Sequence, residues 1–75
     1  MKNIKYANLV GEMAKNGETL VTIGKLLGIS DARVSRRLSG QTDWKISEIE
    51  TLCEKFDKSY CELFEIKEKE SKEND

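Results

Sequence analysis

The stretch from residue 24 to residue 40, GKLLGISDARVSRRLSG, decides the fold. Its apolar residues form two short helical segments separated at Gly28, and glycine supplies the left-handed backbone that ends many helices. Ser30 follows the break and is typical of a helix N-cap, because its hydroxyl accepts a hydrogen bond from a backbone N–H in the first turn. The second segment is apolar at Val34 and Leu38, four residues apart, and otherwise mostly polar with three arginines. One side of this helix is therefore expected to face solvent.

Two short helices joined by a tight, glycine-containing turn form the helix-turn-helix pattern. Gly24 lies four residues before Gly28, and its missing side chain allows the following helix to cross close to it. We expect Ile29 to fill the angle between the helices. Many helical hairpins contain a glycine, so the pattern by itself also fits a hairpin that only builds a core.

The rest of the chain carries further apolar residues at helical spacing. Thr19 is the predicted cap of the second helix, and the capping boxes Ser47–Glu50 and Ser59–Glu62 predict the starts of a fourth and a fifth helix. Trp44 is predicted to wedge between the preceding loop and the fourth helix. The other predicted inward positions are Tyr6, Leu9, Val10, Met13 and Ala14, then Leu20, Ile23 and Leu27, and finally Ile49, Leu52, Cys53, Phe56, Leu63 and Phe64. The sequence predicts an all-α domain, a compact five-helix bundle over residues 1–66.

Charge is divided unevenly along the chain, although the net charge is only −1. Residues 1–45 hold eight Lys or Arg against four Asp or Glu, whereas residues 46–75 hold five lysines against ten acids. The front half is thus suited to phosphates, and the back half is not. Residues 67–75, KEKESKEND, have no apolar side chain and are expected to form a disordered tail, because they bury too little to offset the entropy of ordering.

Several classes of function are disfavoured by composition. The chain has no histidine, and its two cysteines do not form a CxxC pair, so neither a zinc site nor a Cys-His or Ser-His nucleophile is expected. We expect no enzyme activity, no metal and no cofactor. No apolar stretch approaches the roughly 18 residues of a membrane span, and no secretory signal is evident. The expected location is the cytoplasm, with both cysteines reduced.

The run from Thr19 to Phe64 resembles the Cro/repressor-like (XRE-type) helix-turn-helix family of phage and bacterial regulators. The segments KLLGIS, VSRRLSG and SYCELF carry the resemblance, and LVGEMAKNG, residues 9–17, is similar to the first helix of that family. The resemblance implies that the third helix, about residues 30–39, enters the major groove of double-stranded DNA. It also implies a homodimer on a palindromic site with half-sites about 34 Å apart. The chain departs from the family at Leu20, where a phosphate-clamping Gln is common, and at Asp57–Lys58, where a Gly-apolar pair is usual.

Outward positions of the third helix are the predicted base readers, and flanking polar residues are the predicted phosphate contacts. Arg36 is the foremost candidate for a bidentate contact to guanine, with a solvated surface arginine as the alternative. Asp31 fits either a contact to cytosine or a first-turn acid that stabilises the helix dipole, and Arg33 and Arg37 fit either phosphates or surface ion pairs. The base-reading set is Ser30, Asp31, Ala32, Ser35 and Arg36, and the phosphate set is Thr19, Lys25, Arg33, Arg37, Gln41, Thr42 and Lys45.

Two functional hypotheses follow. The first is a sequence-specific DNA-binding transcriptional regulator of phage, prophage or mobile-element type. The second is an antitoxin or phage accessory protein that acts mainly on a protein partner such as a toxin. A dimer surface is expected at Cys53, Tyr60, Phe64 and Ile66, with core packing as the alternative for Phe64.

Overall fold

The computed structural model describes residues 4–66 and shows an all-α fold there. Its five helices are α1 (Ala7–Lys15), α2 (Leu20–Leu27), α3 (Asp31–Ser39), α4 (Ile46–Phe56) and α5 (Tyr60–Phe64). No strand occurs among the described residues. The predicted five-helix bundle is confirmed for this range, whereas the predicted tail at residues 67–75 lies outside it.

All five helices and the loop before α4 contribute side chains to one core. Its buried members are Leu9, Met13, Ile23, Val34, Leu38, Trp44, Leu52, Phe56, Leu63 and Phe64. Nearly all the predicted inward positions are buried or packed against this cluster, as helical periodicity requires. Ala14 is the exception, since it is exposed at the end of α1. Trp44 meets Tyr6 and Phe64 edge to face, which confirms it as a core wedge.

The turn between α2 and α3 is built around two glycines, as predicted. Gly28 adopts φ 77°, and the N–H groups of Gly28 and Ile29 both donate to the carbonyl of Gly24, at 2.7 and 2.9 Å. A Cβ at Gly24 would lie 2.6 Å from the carbonyl oxygen of Ile29. The missing side chain at Gly24 therefore lets the turn lie directly against α2, and this contact sets the direction in which α3 leaves.

Side-chain caps fix the starts of three helices as predicted. The hydroxyls of Thr19, Ser30 and Ser59 each accept a hydrogen bond from a first-turn backbone N–H. At α5 the bond is reciprocated, because Glu62 Oε1 accepts from the Ser59 N–H at 2.8 Å. That contact also lowers the pKa of the Glu62 carboxyl, since a backbone N–H stabilises its charged form.

The start of α4 differs from the prediction. The helix begins at Ile46 with Lys45 as its N-cap, so the predicted Ser47–Glu50 capping box is wrong. Glu48 provides the cap instead, and its Oε1 accepts from the Lys45 N–H at 3.0 Å. Ser47 lies inside the first turn, where its carbonyl accepts from the Thr51 hydroxyl at 2.8 Å.

Within residues 4–66, every helix is too short and too polar to traverse a bilayer. The same range contains no group of three or more Cys, Asp or Glu placed to hold a metal ion.

Candidate DNA-binding surface

The face of α3 turned away from the core is polar. Val34 and Leu38 are fully buried and hold the helix against the bundle. Most of the predicted base readers lie in solvent: Ser30, Asp31, Ala32 and Arg36 are exposed, and Ser35 is half-buried. The structure thus exposes four of the five residues, as the sequence predicts, on a short helix anchored by Val34 and Leu38.

An open cleft of about 320 Å³ lies at the C-terminal half of α3. It is lined by Arg33, Arg36, Arg37 and Thr42, so the structure brings one predicted base reader together with three predicted phosphate contacts. Two of the three guanidinium groups, those of Arg33 and Arg36, belong to exposed residues and make this cleft attractive to an anion.

The loop after α3 folds back onto the helix. Gly40 adopts φ 89°, which turns the chain so that the carbonyl of Arg36 accepts from the Gln41 and Thr42 N–H groups at 2.9 and 3.3 Å. The Ser39 hydroxyl donates to the same carbonyl at 3.0 Å. Gln41 and Thr42 are exposed, and these bonds place both directly beside the backbone of Arg36.

Arg37 departs from its predicted position on an exposed flank. Only 6% of the residue is exposed, and its Nε donates to Glu48 Oε1 at 2.8 Å. Its Nη1 also reaches the carbonyl of Arg33, at 3.5 Å. The guanidinium is already paired with a carboxylate, so Arg37, although it lines the cleft, is not retained among the proposed phosphate contacts.

Glu48 is the residue that sequence reasoning missed. It is buried on the inward side of α4 with Leu52 and Phe56, at intervals of four residues. That spacing was the available signal, because a carboxylate on an apolar stripe requires a buried partner. Reading Ser47 as the N-cap concealed it.

The other predicted contacts are exposed but do not line the cleft. Lys25 lies in the last turn of α2, and Lys45 precedes α4. The Thr19 hydroxyl is engaged in capping α2. Asp31 directs its carboxylate to the neighbouring Ala32 N–H at 2.9 Å, which favours the helix-dipole role over a base contact.

The predicted dimer surface is only partly exposed. Tyr60 is 58% exposed and stacks on Phe64, which is buried, so core packing is confirmed for Phe64. Cys61 is exposed and Cys53 is half-buried, and burial raises the pKa of the Cys53 thiol. Tyr60 and Cys61 therefore offer more surface to a partner than Cys53 does.

Comparison with known proteins finds one family. The family described as the BetR domain matches residues 9–74, which include all five helices except the first two residues of α1. No curated protein and no solved structure matches the chain. The chain belongs to the BetR domain family, as a small helical domain of a DNA-binding regulatory type.

Proposed function

We propose that this chain is a sequence-specific DNA-binding transcriptional regulator that inserts α3 into the major groove. The observation that carries the proposal is the outward polar face of α3, which ends in the arginine-lined cleft. A core hairpin requires neither the exposed arginines nor the loop folded against them. The family supports a regulatory domain of DNA-binding type, and the Cro/repressor-like resemblance supports the repressor role and the phage or mobile-element setting.

The residues divide by what they reach. Arg36 contacts a guanine through its O6 and N7 acceptors, aided by Ser30, Ala32 and Ser35 along the same face. Arg33 and Thr42 hold a backbone phosphate in the cleft. Further phosphate contacts come from exposed polar residues nearby: Thr19, Lys25, Gln41 and Lys45. No metal or cofactor enters this mechanism.

Regulation follows from occupancy in this proposal. A homodimer on a palindromic operator in the cytoplasm blocks or recruits polymerase by its presence on the promoter. Two copies of α3 would then enter successive major grooves about 34 Å apart.

A salt titration tests the proposal. Binding to a mixed-sequence duplex should be measurable at about 50 mM salt and fall steeply towards about 200 mM, because phosphate contacts displace counterions. Arg33→Ala should weaken this binding, whereas Lys58→Ala, which removes one charge beside Glu12 on another face, should change it far less. Absence of binding at low salt would refute the proposal.

A protein partner is the second candidate, and a separate surface favours it. Tyr6, Asp43, Trp44, Ile49, Tyr60 and Phe64 line an aromatic recess. Within the described residues, the buried Trp44 Nε1 has no hydrogen-bond acceptor. Ile46, which is 75% exposed, lies just after Trp44 in the chain. If the aromatic recess binds a toxin-like partner, Tyr60→Ser should abolish formation of that complex. If it is instead the dimer surface, Tyr60→Ser should convert a dimer into a monomer. Sedimentation analysis of the chain with and without the partner distinguishes the two.

A further inference from the structure

We propose that Glu48 is a positioning residue for DNA recognition. Its carboxylate ties α3 to Lys45, the N-cap of α4, and thereby fixes the loop at residues 40–44 relative to Arg36. The consequence for DNA rests on the proposed function, but the effect on the loop is measurable without DNA.

One oxygen of Glu48 makes both bonds. Oε1 accepts from Arg37 Nε at 2.8 Å and from the Lys45 backbone N–H at 3.0 Å. The side chains of Glu48 and Arg37 are each 7% exposed, so water does not compete appreciably for either contact. Charge-assisted hydrogen bonds of this length are directional as well as strong.

The two donors stand on opposite sides of the loop. Arg37 belongs to α3 and Lys45 caps α4. The carbonyl of Arg36, also in α3, accepts from the Gln41 and Thr42 N–H groups of the loop. Among the helices, α3 packs mainly against α2. The bridge through Glu48 therefore determines the orientation of the loop and α4 relative to the recognition helix.

Burial of two charges does not by itself explain this arrangement. Desolvating both groups offsets much of their attraction, and apolar pairs of similar volume often replace such bridges without loss of stability. An apolar pair lacks direction, however, and provides no acceptor for the Lys45 N–H. The bridge thus contributes a defined loop geometry, which stability alone does not require.

The first experiment measures loop geometry by amide hydrogen exchange in the full chain. The double variant Arg37→Met, Glu48→Leu should still fold. Protection of the Gln41, Thr42 and Lys45 amides against exchange should fall at least tenfold, whereas protection of the Met13 amide in α1 should not change. Glu18→Gln with Lys55→Met is the matched control, since it removes another ion pair of α4, at 3.0 Å, and should leave the loop unchanged. Unaltered loop protection in the first variant would overturn the proposal.

If that double variant does not fold, Glu48→Gln replaces it. Its amide retains an oxygen for the Lys45 N–H but lacks the charge that holds Arg37. Protection should therefore persist at Lys45 and fall at Gln41 and Thr42. If all three amides were protected as well in this variant as in the unaltered chain, the proposal would again be overturned.

The second experiment measures specificity on a duplex selected by the unaltered chain. The Arg37→Met, Glu48→Leu variant should lose at least tenfold in its preference for this duplex over a mixed-sequence duplex, with an unchanged salt slope. If the variant instead lost affinity equally for both duplexes, and its salt slope fell by about one, Arg37 would be a phosphate contact. That result would contradict the positioning role. If the unaltered chain selects no duplex, the proposed function fails, and hydrogen exchange still decides the loop geometry.

Discussion

Gly24 lies so close to the carbonyl oxygen of Ile29 that a Cβ at Gly24 would approach it to 2.6 Å. Gly24→Ala should therefore destabilise the fold, by about 1–2 kcal/mol, because forced backbone shifts in a packed site outweigh the better helix propensity of alanine. Thermal unfolding measures the effect as a lower midpoint. Gly11→Ala is the control, since a Cβ at Gly11 has no atom within 4 Å, and it should stabilise α1 by about 0.5–1 kcal/mol. Equal midpoints for the two variants would contradict the close contact between Gly24 and the turn.

The joint between α4 and α5 contains a residue in a left-handed conformation that glycine adopts more readily. Asp57 has φ 56°, and the Cro/repressor-like family usually has glycine at this position. Asp57→Gly should raise the free energy of unfolding by up to about 1 kcal/mol, because glycine adopts this conformation without a Cβ penalty. Denaturant unfolding of the two proteins measures the difference, and a lower stability in the glycine variant would show that the Asp57 side chain stabilises the joint.

Acid should weaken the start of α5. The pKa of Glu62 is lowered from its ordinary 4.5, chiefly by the backbone hydrogen bond from Ser59. A lowered folded-state pKa means that this contribution is complete above about pH 4.5 and disappears as the pH falls through the folded value. Glu62→Gln should therefore reduce the loss of stability below pH 4.5, measured by denaturant unfolding across the pH range. If the stability of Glu62→Gln depended on pH as that of the unaltered chain does, the pKa of Glu62 would not be lowered by folding.

Local chemistry made most of the fold predictable. Glycine at a helix end and serine or threonine before a helix act on their own backbone, so Gly28, Thr19, Ser30 and Ser59 fixed three helix starts and the central turn without knowledge of the tertiary structure. The start of α4 was not predictable in this way. Lysine has no acceptor to cap a helix, and Lys45 takes that position because Glu48 accepts its N–H.

The candidate site was predictable to the extent that it depends on one helix. The spacing of Val34 and Leu38 determined which face of α3 is outward, and Arg33 and Arg36 are exposed there as that spacing predicts. Arg37 was misplaced because its environment depends on a residue 11 positions away in the chain. Tertiary pairing, and not periodicity, decides whether an arginine near the boundary of a helix face is exposed.

Arg36 and Arg33 should differ in what their removal changes. Arg36→Ala should cost about 1–3 kcal/mol of discrimination at one base pair, because the bidentate contact to guanine is lost. Arg33→Ala should weaken binding about equally on all sequences and lower the salt slope by about one. Competition between a selected duplex and its single-base variants measures the discrimination, and direct titrations of the selected duplex at several salt concentrations measure the overall affinity and the salt slope. Identical profiles for the two variants would contradict the division of roles.

Selection of duplexes from a random pool by the unaltered chain tests DNA reading by α3 most directly. We expect enrichment of one motif whose two inverted halves are centred about one helical turn apart. Arg36→Ala should select a motif relaxed at one symmetric position. A pool that stays random after repeated rounds at low salt would contradict sequence-specific recognition by this helix.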